Sequence, residues 1–569
     1  MNIPDSPDSG IFICILTPTC QIQKMKILFV ILSLIISVSC SSGSEENSGK
    51  KKKSNKTEIF IPVSDSIRLA TDIFVPKRGG KFPAVLVRTP YNKDAEQWMG
   101  KAFNIFGIAV VLQDVRGKYK SNGEFYPFIN ERGDGLKTLK WIREQPWSDG
   151  KIAGWGGSYV GYTQWAISDS LDFLSLLLTG ANLYDFVYPD SLFSLQTALV
   201  WGVQNASPGL NVLKEDEIKA RAMTLPVSSA DDSTLKDVNF INDWITNEKY
   251  DDYWRKLDFR GKTTSPVISI AGWYDIFLKT QISDFQAIDK TGESTNRMII
   301  GPFAHGPLGE PNEFGGLKKT GKPQKIFLYV KNHLKGNRNK LKSPFTDKKY
   351  NLFIMELNEY AGSDVWPPAE TSFIPYYIGP SGYLSTSMHT EEGSLQYEYS
   401  PADPYPGHGG TTLGTGVGPA RQNENLSRKD QLSFEMEIHN DPLVLLGPVS
   451  ATLWLSSSVS ATNFFVELQD QFPDGKIINI QEGGAKVSFN NADPKKCEVS
   501  VWATGYQLNP GHKLRVIITS SWFPRFNRSL NYDEPATTAV NFQNAIQKVY
   551  YAKQMPSAIN LPVYKFNRK

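Results

Sequence analysis

Lys151-Ile152-Ala153-Gly154-Trp155-Gly156-Gly157-Ser158-Tyr159-Val160-Gly161 is the stretch on which the fold turns. Lys151 to Gly157 reads as a short buried strand. The small residues ahead of Ser158 permit a tight, strained strand-to-helix turn, and Gly161 lets the following helix lie close against the strand. The spacing approaches Gly-x-Ser-x-Gly, a turn that lifts a serine hydroxyl above the sheet, but the fifth position is Val160 and the closing glycine comes one residue later. Taken alone, the string therefore fits either a nucleophilic serine or an ordinary glycine-rich turn.

The flanking sequence supplies the rest of a sheet. Pro83–Tyr91 (PAVLVRTPY) and Gly107–Gly117 (GIAVVLQDVRG) are short, mostly apolar runs closed by turn residues. Such runs suit strands buried on both faces of a parallel sheet. Glu58–Val63 and Ile67–Pro76 predict a hairpin ahead of them. Asp134–Gln145 has apolar residues at Leu136, Leu139 and Ile142 and stops before Pro146, which predicts a helix. Leu174–Gly180, Ser265–Asp275 and Arg297–Phe303 continue the strands. Strands alternating with helices imply an α/β fold. The long, aromatic, acidic segment 182–263 between two of these strands predicts a helical cap.

A nucleophilic serine needs a base and an acid. The chain has six histidines: His305, His333, His389, His408, His439 and His512. In this type of fold the order is serine, acid, histidine. His305 follows the strand 297–303 directly, at the carboxyl end of the sheet, where open-sheet sites form. His333 lies in a Lys-rich amphipathic helix and the other four in the β-rich C-terminal part. Asp275 ends the strand before, in the equivalent place. Asp185, Asp190, Asp251, Asp252, Asp258 and Asp284 fall in helix, loop or cap sequence, where a solvated or capping carboxylate is the ordinary role. Three strand ends thus supply Ser158, Asp275 and His305 in the required order.

With these residues placed, GGSYVGYTQW, AGWYD, GPFAHG, VRTPYNK and QDVRGKYKSNGEF together resemble the serine acyl hydrolases grouped with cocaine esterase, a group that also contains X-Pro dipeptidyl-peptidases, glutaryl acylases and α-amino-acid ester hydrolases. In that group the nucleophile pattern is Gly-x-Ser-Tyr-x-Gly, which Ser158 matches. The resemblance runs from about Ile59 to the C-terminus and implies an α/β-hydrolase with a helical cap insertion, followed by an all-β jelly roll. It implies that Asp275 and His305 complete a triad and that the Tyr91 hydroxyl and the Tyr159 backbone N–H receive the oxyanion. Trp155, Trp165, Trp273, Tyr274 and Phe303 flank the motifs and are candidates for an acyl pocket. Neither metal nor organic cofactor is called for, and the expected partner is a small ester or amide, or a short peptide. Asp275 is followed by Ile276, Phe277, Leu278 and Lys279, so no acidic cluster adjoins it, and a free α-amino group on the substrate is not expected to be required. A cap carboxylate (Asp185, Asp190, Glu215 or Glu217) could still reach the pocket.

From about residue 346 the chain changes to alternating runs, such as Ala451–Val459, Asn463–Phe472 and Cys497–Leu508, separated by Gly, Pro and Asn turns; many short strands without helices indicate a sandwich or jelly roll. Leu446–Ser458, Asp470–Lys476 and Asn509–Asn531 resemble the second domain of the same group, but Ile477–Asn490 departs from it, and no family contact is transferred there. The expected role of this domain is structural, with glycan binding beside an inert hydrolase domain as the rival.

At the other end, Met25 onward carries one positive charge, a twelve-residue apolar stretch (Ile27 to Val38) and a small-residue exit. This is a secretory signal, and it resembles a bacterial lipoprotein signal in which Cys40 is lipidated, although Ser37 stands where leucine is preferred. The expected organisation is a signal region over 1–40, a flexible tether over 41–57, a catalytic domain over 58–345 and a β domain over 346–569. The expected location is the bacterial cell envelope, held to the membrane only through a lipid anchor, or otherwise secretion. No apolar run reaches the ~20 residues that span a bilayer. With 61 Lys+Arg against 58 Asp+Glu, nucleic acid is not an expected partner. Of four cysteines, Cys14, Cys20 and Cys40 lie in the first forty residues, leaving Cys497 without an internal disulfide partner, and no CxxC or Cys/His metal spacing occurs.

Overall fold

A computed structural model describes residues 56–206, 213–231, 239–289, 295–306, 323–337, 345–414 and 416–565. Cys40, the signal region and most of the tether lie outside them. Among the described residues no helix is long and apolar enough to cross a membrane.

Ten strands build the catalytic sheet: β1 (Lys56–Pro62), β2 (Arg68–Phe74), β3 (Phe82–Thr89), β4 (Ala109–Asp114), β5 (Ser148–Gly157), β6 (Phe173–Leu177), β7 (Val267–Tyr274), β8 (Arg297–Ala304), β9 (Tyr350–Ile354) and β10 (Glu359–Ser363). Their order is β1-β2-β4-β3-β5-β6-β7-β8-β9-β10. β1 and β2 form the expected antiparallel hairpin, and β4 through β9 run parallel. Every residue of β3, β4 and β7 is buried. That is why these strands read as continuous apolar runs: helices cover both faces, so neither face selects polar side chains.

One sequence expectation, the start of a helix, is corrected here. The helix after β4 spans Glu131–Arg143 and starts three residues before Asp134. Asp134 lies within its first turn, where its carboxylate receives the Arg116 guanidinium at 2.6 and 3.0 Å. The division near residue 346 does not coincide with a change of sheet. β9 and β10 come after it yet extend the catalytic sheet, because the outer edge of β8 offers unpaired backbone groups that β9 satisfies in parallel register. Strands this close to the β-rich half cannot be assigned to a sheet from alternation alone.

Between β6 and β7 the chain forms the helices Leu195–Ala206, Glu215–Ala222 and Asn239–Thr246 among shorter turns. The C-terminal half is an all-β sandwich of an eight-stranded and a four-stranded sheet. The four-stranded sheet is made of Gln431–Glu437, Lys513–Thr519, Ala461–Gln471 and Ile477–Ser488. It meets the catalytic sheet where β7 ends: Gln481 donates to the Trp273 carbonyl at 2.9 Å and Tyr274 to the Asn479 carbonyl at 3.2 Å. Asn479 and Gln481 belong to the stretch 477–490, from which no family contact was transferred.

Candidate active site

β5 delivers Ser158 through a sharp turn into the helix Ser158–Trp165. Ser158 has φ 52°, left-handed for a residue with a Cβ, a conformation costing ~1–3 kcal/mol that the surroundings must hold. They do so from both sides. The Ser158 N–H donates to the Leu178 carbonyl at 3.1 Å, and its carbonyl accepts from the Thr179 hydroxyl at 2.7 Å. The glycines matter by close approach: a Cβ on Gly156 would lie 2.4 Å from the Val160 carbonyl oxygen, and one on Gly161 2.6 Å from the Thr179 methyl.

Asp275 follows β7 and His305 follows β8. His305 Nε2 stands 2.9 Å from Ser158 Oγ, and His305 Nδ1 stands 2.7 Å from Asp275 Oδ2. Asp275 is fully buried, and its other oxygen accepts the Phe277 N–H at 2.9 Å. With both oxygens engaged, the carboxylate has one orientation. It holds the imidazole with Nδ1 protonated, which leaves the Nε2 lone pair toward the serine.

Tyr91 enters from the loop after β3, and its hydroxyl accepts the Trp201 indole N–H at 2.9 Å. Burial pushes the Tyr91 phenol up to about 12, with Trp201 and Ser158 drawing it back only in part. A phenol that remains protonated while already accepting from an indole has its own proton to donate, toward Ser158. The loop beneath it is fixed by charge: the buried Lys93 ammonium contacts Asp72 at 3.0 Å and Glu58 at 2.7 Å, and its backbone N–H donates to Asp114 at 2.7 Å. Tyr159 is the second residue of the helix, so its N–H has no partner within the helix and faces its N-terminus, where the backbone dipoles favour negative charge. Its side chain reaches the other way, donating to Glu131 at 2.8 Å while accepting the Phe128 N–H at 2.9 Å.

A narrow cleft, partly open to solvent, lies over Ser158 and His305. Phe128, Tyr159 and Trp201 stack as one aromatic group, with Tyr159 and Trp201 centroids 5.8 Å apart at 12°. Phe186 and Phe277 stack as another, at 4.5 Å and 9°. Tyr162, Leu183 and Ile276 fill between them, and Leu413 reaches in from the β domain. Among the described residues, those bordering the cleft include no carboxylate and no Lys or Arg.

The five aromatic residues expected to line a pocket do not border this cleft. Trp165, Trp273, Tyr274 and Phe303 are buried in the core. Trp155 packs edge-on against Phe103 at 5.6 Å. Side chains alternate across a strand, so residues next to a motif in sequence point to the opposite face or into the helix layer. Besides Ser158 and His305, the cleft is lined by Tyr159 and Tyr162 of the nucleophile helix, by Ile276 and Phe277 just after Asp275, and by cap or loop residues whose convergence no local pattern announces. Trp201 is also the hydrogen-bond partner of Tyr91, which sequence reasoning missed. The competing acids are engaged elsewhere. Asp185 and Asp284 pair with Arg260, Asp190 with Lys279, and Asp252 with Arg255. Asp251 caps a helix turn, and Asp258 bonds Asn182 and Tyr250. Glu215 pairs with Lys219, and Glu217 accepts the Lys214 N–H. Among the described residues no group of three or more His, Cys, Asp or Glu is arranged to hold a metal.

Residues 65–307 match the X-Pro dipeptidyl-peptidase (S15) family, and residues 346–560 match the C-terminal non-catalytic domain of X-Pro dipeptidyl-peptidases. Cocaine esterase from Rhodococcus sp. (strain MB1 Bresler) is 30% identical over 577 residues, covering 90% of this chain and 98% of that protein. The chain belongs to the cocaine-esterase-like branch of the X-Pro dipeptidyl-peptidase family. It is a hydrolase of the esterase and peptidase class. Two solved structures share the whole fold: an aminopeptidase from the marine sediment archaeon Thaumarchaeota archaeon, at 21% identity and TM-score 0.78 over 93% of this chain and 99% of that one, and an α-amino acid ester hydrolase, at 20% identity and TM-score 0.76 over 91% and 98%. The family accounts for the sheet with its appended β sandwich.

Proposed function

We propose that this protein is a serine acyl hydrolase that cleaves carboxylic esters or amides through an acyl-enzyme. The Ser158–His305–Asp275 chain of contacts at 2.9 and 2.7 Å, with the serine held at positive φ, carries this reading. His305 Nε2 takes the Ser158 proton as Oγ attacks the acyl carbon, and the Tyr91 hydroxyl and Tyr159 N–H receive the oxyanion. The imidazolium then gives its proton to the leaving alcohol or amine. Water, deprotonated by the same nitrogen, attacks the acyl-serine and releases the acid. Asp275 keeps the tautomer and stabilises the imidazolium throughout.

The acyl group is apolar and needs no amine. An ammonium in a desolvated cleft requires a carboxylate at hydrogen-bond distance. Among the described residues none borders the cleft, and Asp185, Asp190 and Glu215 have other partners. The same absence weighs against an X-Pro dipeptidyl-peptidase, which must hold a peptide's N-terminal amine. The assembled triad geometry weighs against an inert domain beside a glycan-binding one. On the sequence of residues 25–40, we also propose export and lipidation at Cys40, giving an envelope protein held by acyl chains.

Ser158→Ala with an aryl ester tests the core of this reading. Turnover and fluorophosphonate labelling are expected to vanish with the melting midpoint nearly unchanged. Activity above about a thousandth of the parent would remove Ser158 as nucleophile.

A further inference from the structure

Among the described residues Leu413 is the one bordering the cleft that comes from the β domain, and the way its loop is held assigns a role to residues far from the reacting atoms. The loop closes at its base where Gly410 and Gly418 exchange backbone hydrogen bonds at 2.7 and 3.0 Å. At its tip the Leu413 backbone pairs with that of His305, and its carbonyl accepts from the Gln196 side chain at 2.9 Å. Between base and tip it is fastened to one buried carboxylate. Glu482 Oε1 accepts the Thr411 N–H at 2.7 Å and the Thr411 hydroxyl at 2.8 Å, and also receives the Arg525 guanidinium. Gly410 makes this possible. It has φ 74°, and a Cβ there would sit 2.4 Å from Glu482 Oε1, so only glycine lets the carboxylate come down onto the loop.

Placing this charge so deep is costly. Glu482 is fully buried, Arg525 is 4% exposed, and Glu482 Oε2 has no hydrogen-bond partner. Burial draws the Arg525 guanidinium down to about 10, although it lies over the Trp502 and Phe526 rings at 4.8 and 4.4 Å. A buried ion pair contributes little net stability against apolar side chains of the same size. What it does supply here is geometry, because one oxygen collects three donors from two segments. Arg525 also ties in the cap: its carbonyl accepts the Gln196 N–H at 3.3 Å, and the Gln196 side chain holds Leu413.

We infer that Glu482 and Arg525 are positioning residues for acyl selectivity: the buried pair clamps the 409–414 turn so that Leu413 closes the acyl cleft, and the β domain thereby sets which acyl groups fit. This rests on the acyl-hydrolase reading above. Neither residue touches substrate; both act through Thr411 and Leu413.

The test compares phenyl acetate with phenyl benzoate, which share a leaving group, in the full-length protein. Leu413→Ala calibrates the wall and is expected to change the benzoate-to-acetate ratio of kcat/KM by about tenfold, the low end of what one apolar contact contributes to discrimination. The clamp is probed by Thr411→Val, which leaves the ion pair intact, and by the double variant Glu482→Met with Arg525→Met, which replaces the pair with apolar side chains so that the fold persists. Both are expected to shift the ratio in the direction set by Leu413→Ala, with acetate turnover within about threefold of the parent, under 1 kcal/mol. Amide exchange in the 409–414 turn is expected to quicken. An unchanged ratio and unchanged exchange in folded clamp variants would overturn the inference, as would an equal loss on both esters. Ser158→Ala run alongside separates the two questions: if it leaves parent activity intact, the hydrolase reading fails, while amide exchange still reports on the clamp.

Discussion

Tyr91→Phe removes a single oxygen and separates a catalytic hydroxyl from a structural one. In the folded protein that oxygen does two things: it accepts the Trp201 indole N–H at 2.9 Å, and it keeps its own proton because burial pushes the phenol up to about 12. The substitution therefore has two consequences of different kinds. Loss of one oxyanion donor costs ~2.7–4 kcal/mol in the chemical step, about two to three decades in kcat at ~1.36 kcal/mol per decade. Loss of an acceptor leaves the indole of Trp201, only 9% exposed, without a partner, which lowers global stability by ~1–3 kcal/mol. KM for a small aryl ester should hardly move, since the oxyanion exists only after attack. The assay is single-turnover acylation with p-nitrophenyl acetate, read beside a urea melt. Trp201→Phe is the companion: it keeps the Tyr91 proton but frees the ring to rotate, so kcat should fall by less than in Tyr91→Phe. A Tyr91→Phe rate within about twofold of the parent, far below the expected loss, would show that the hydroxyl serves only to satisfy Trp201. Retained pH independence of the parent rate between about pH 8 and pH 10, where an ordinary phenol would begin to ionise, checks the raised value separately.

Asp114, fully buried below the Tyr91 loop, is pushed up to about 6, chiefly by desolvation, with the Lys93 N–H and ammonium opposing it. The folded state therefore binds this proton over a range, roughly pH 4 to 6, in which the unfolded chain has released it, so stability falls as pH rises through that window. Asp114→Asn should remove that slope: urea midpoints of variant and parent, compared near pH 4 and near pH 7, should shift in favour of the variant at the higher pH, and an equal difference at both would refute the assignment. A matched pair of esters, one bearing a free α-amine and one with hydrogen in its place, should be cleaved with similar kcat/KM. Preference for the amine above about 50-fold, ~2.3 kcal/mol, would replace the apolar-acyl reading with an aminopeptidase-like one. Cys40→Ala should move the protein from the detergent phase to the soluble fraction, and unchanged partition would refute lipidation there.

Ser158, Asp275 and His305 were legible because each is attached to a strand end, and the strands announce themselves. A parallel sheet buried on both faces forces apolar runs of five to eight residues, and the loops at their carboxyl ends fall on one edge. Chain order then assigns the roles. Tyr91, two residues past the end of β3 with a proline between, was suggested by the resemblance of VRTPYNK to the family and not by strand-end logic. What sequence could not decide is whatever depends on distant segments meeting. The cleft is walled by Phe128, Phe186, Trp201 and Phe277, none of which differs in type from the buried Trp165 or Trp273; only the path of the cap separates lining from core. β9 and β10 read as the start of the β half, yet they complete the catalytic sheet, because backbone hydrogen bonding, unlike alternation, is a property of the neighbouring strand. Leu413 and Glu482 lie far along the chain from Ser158 and carry no catalytic signature. They reach the site because a glycine-rich turn folds onto a buried carboxylate, a contact that exists only once both sheets have packed.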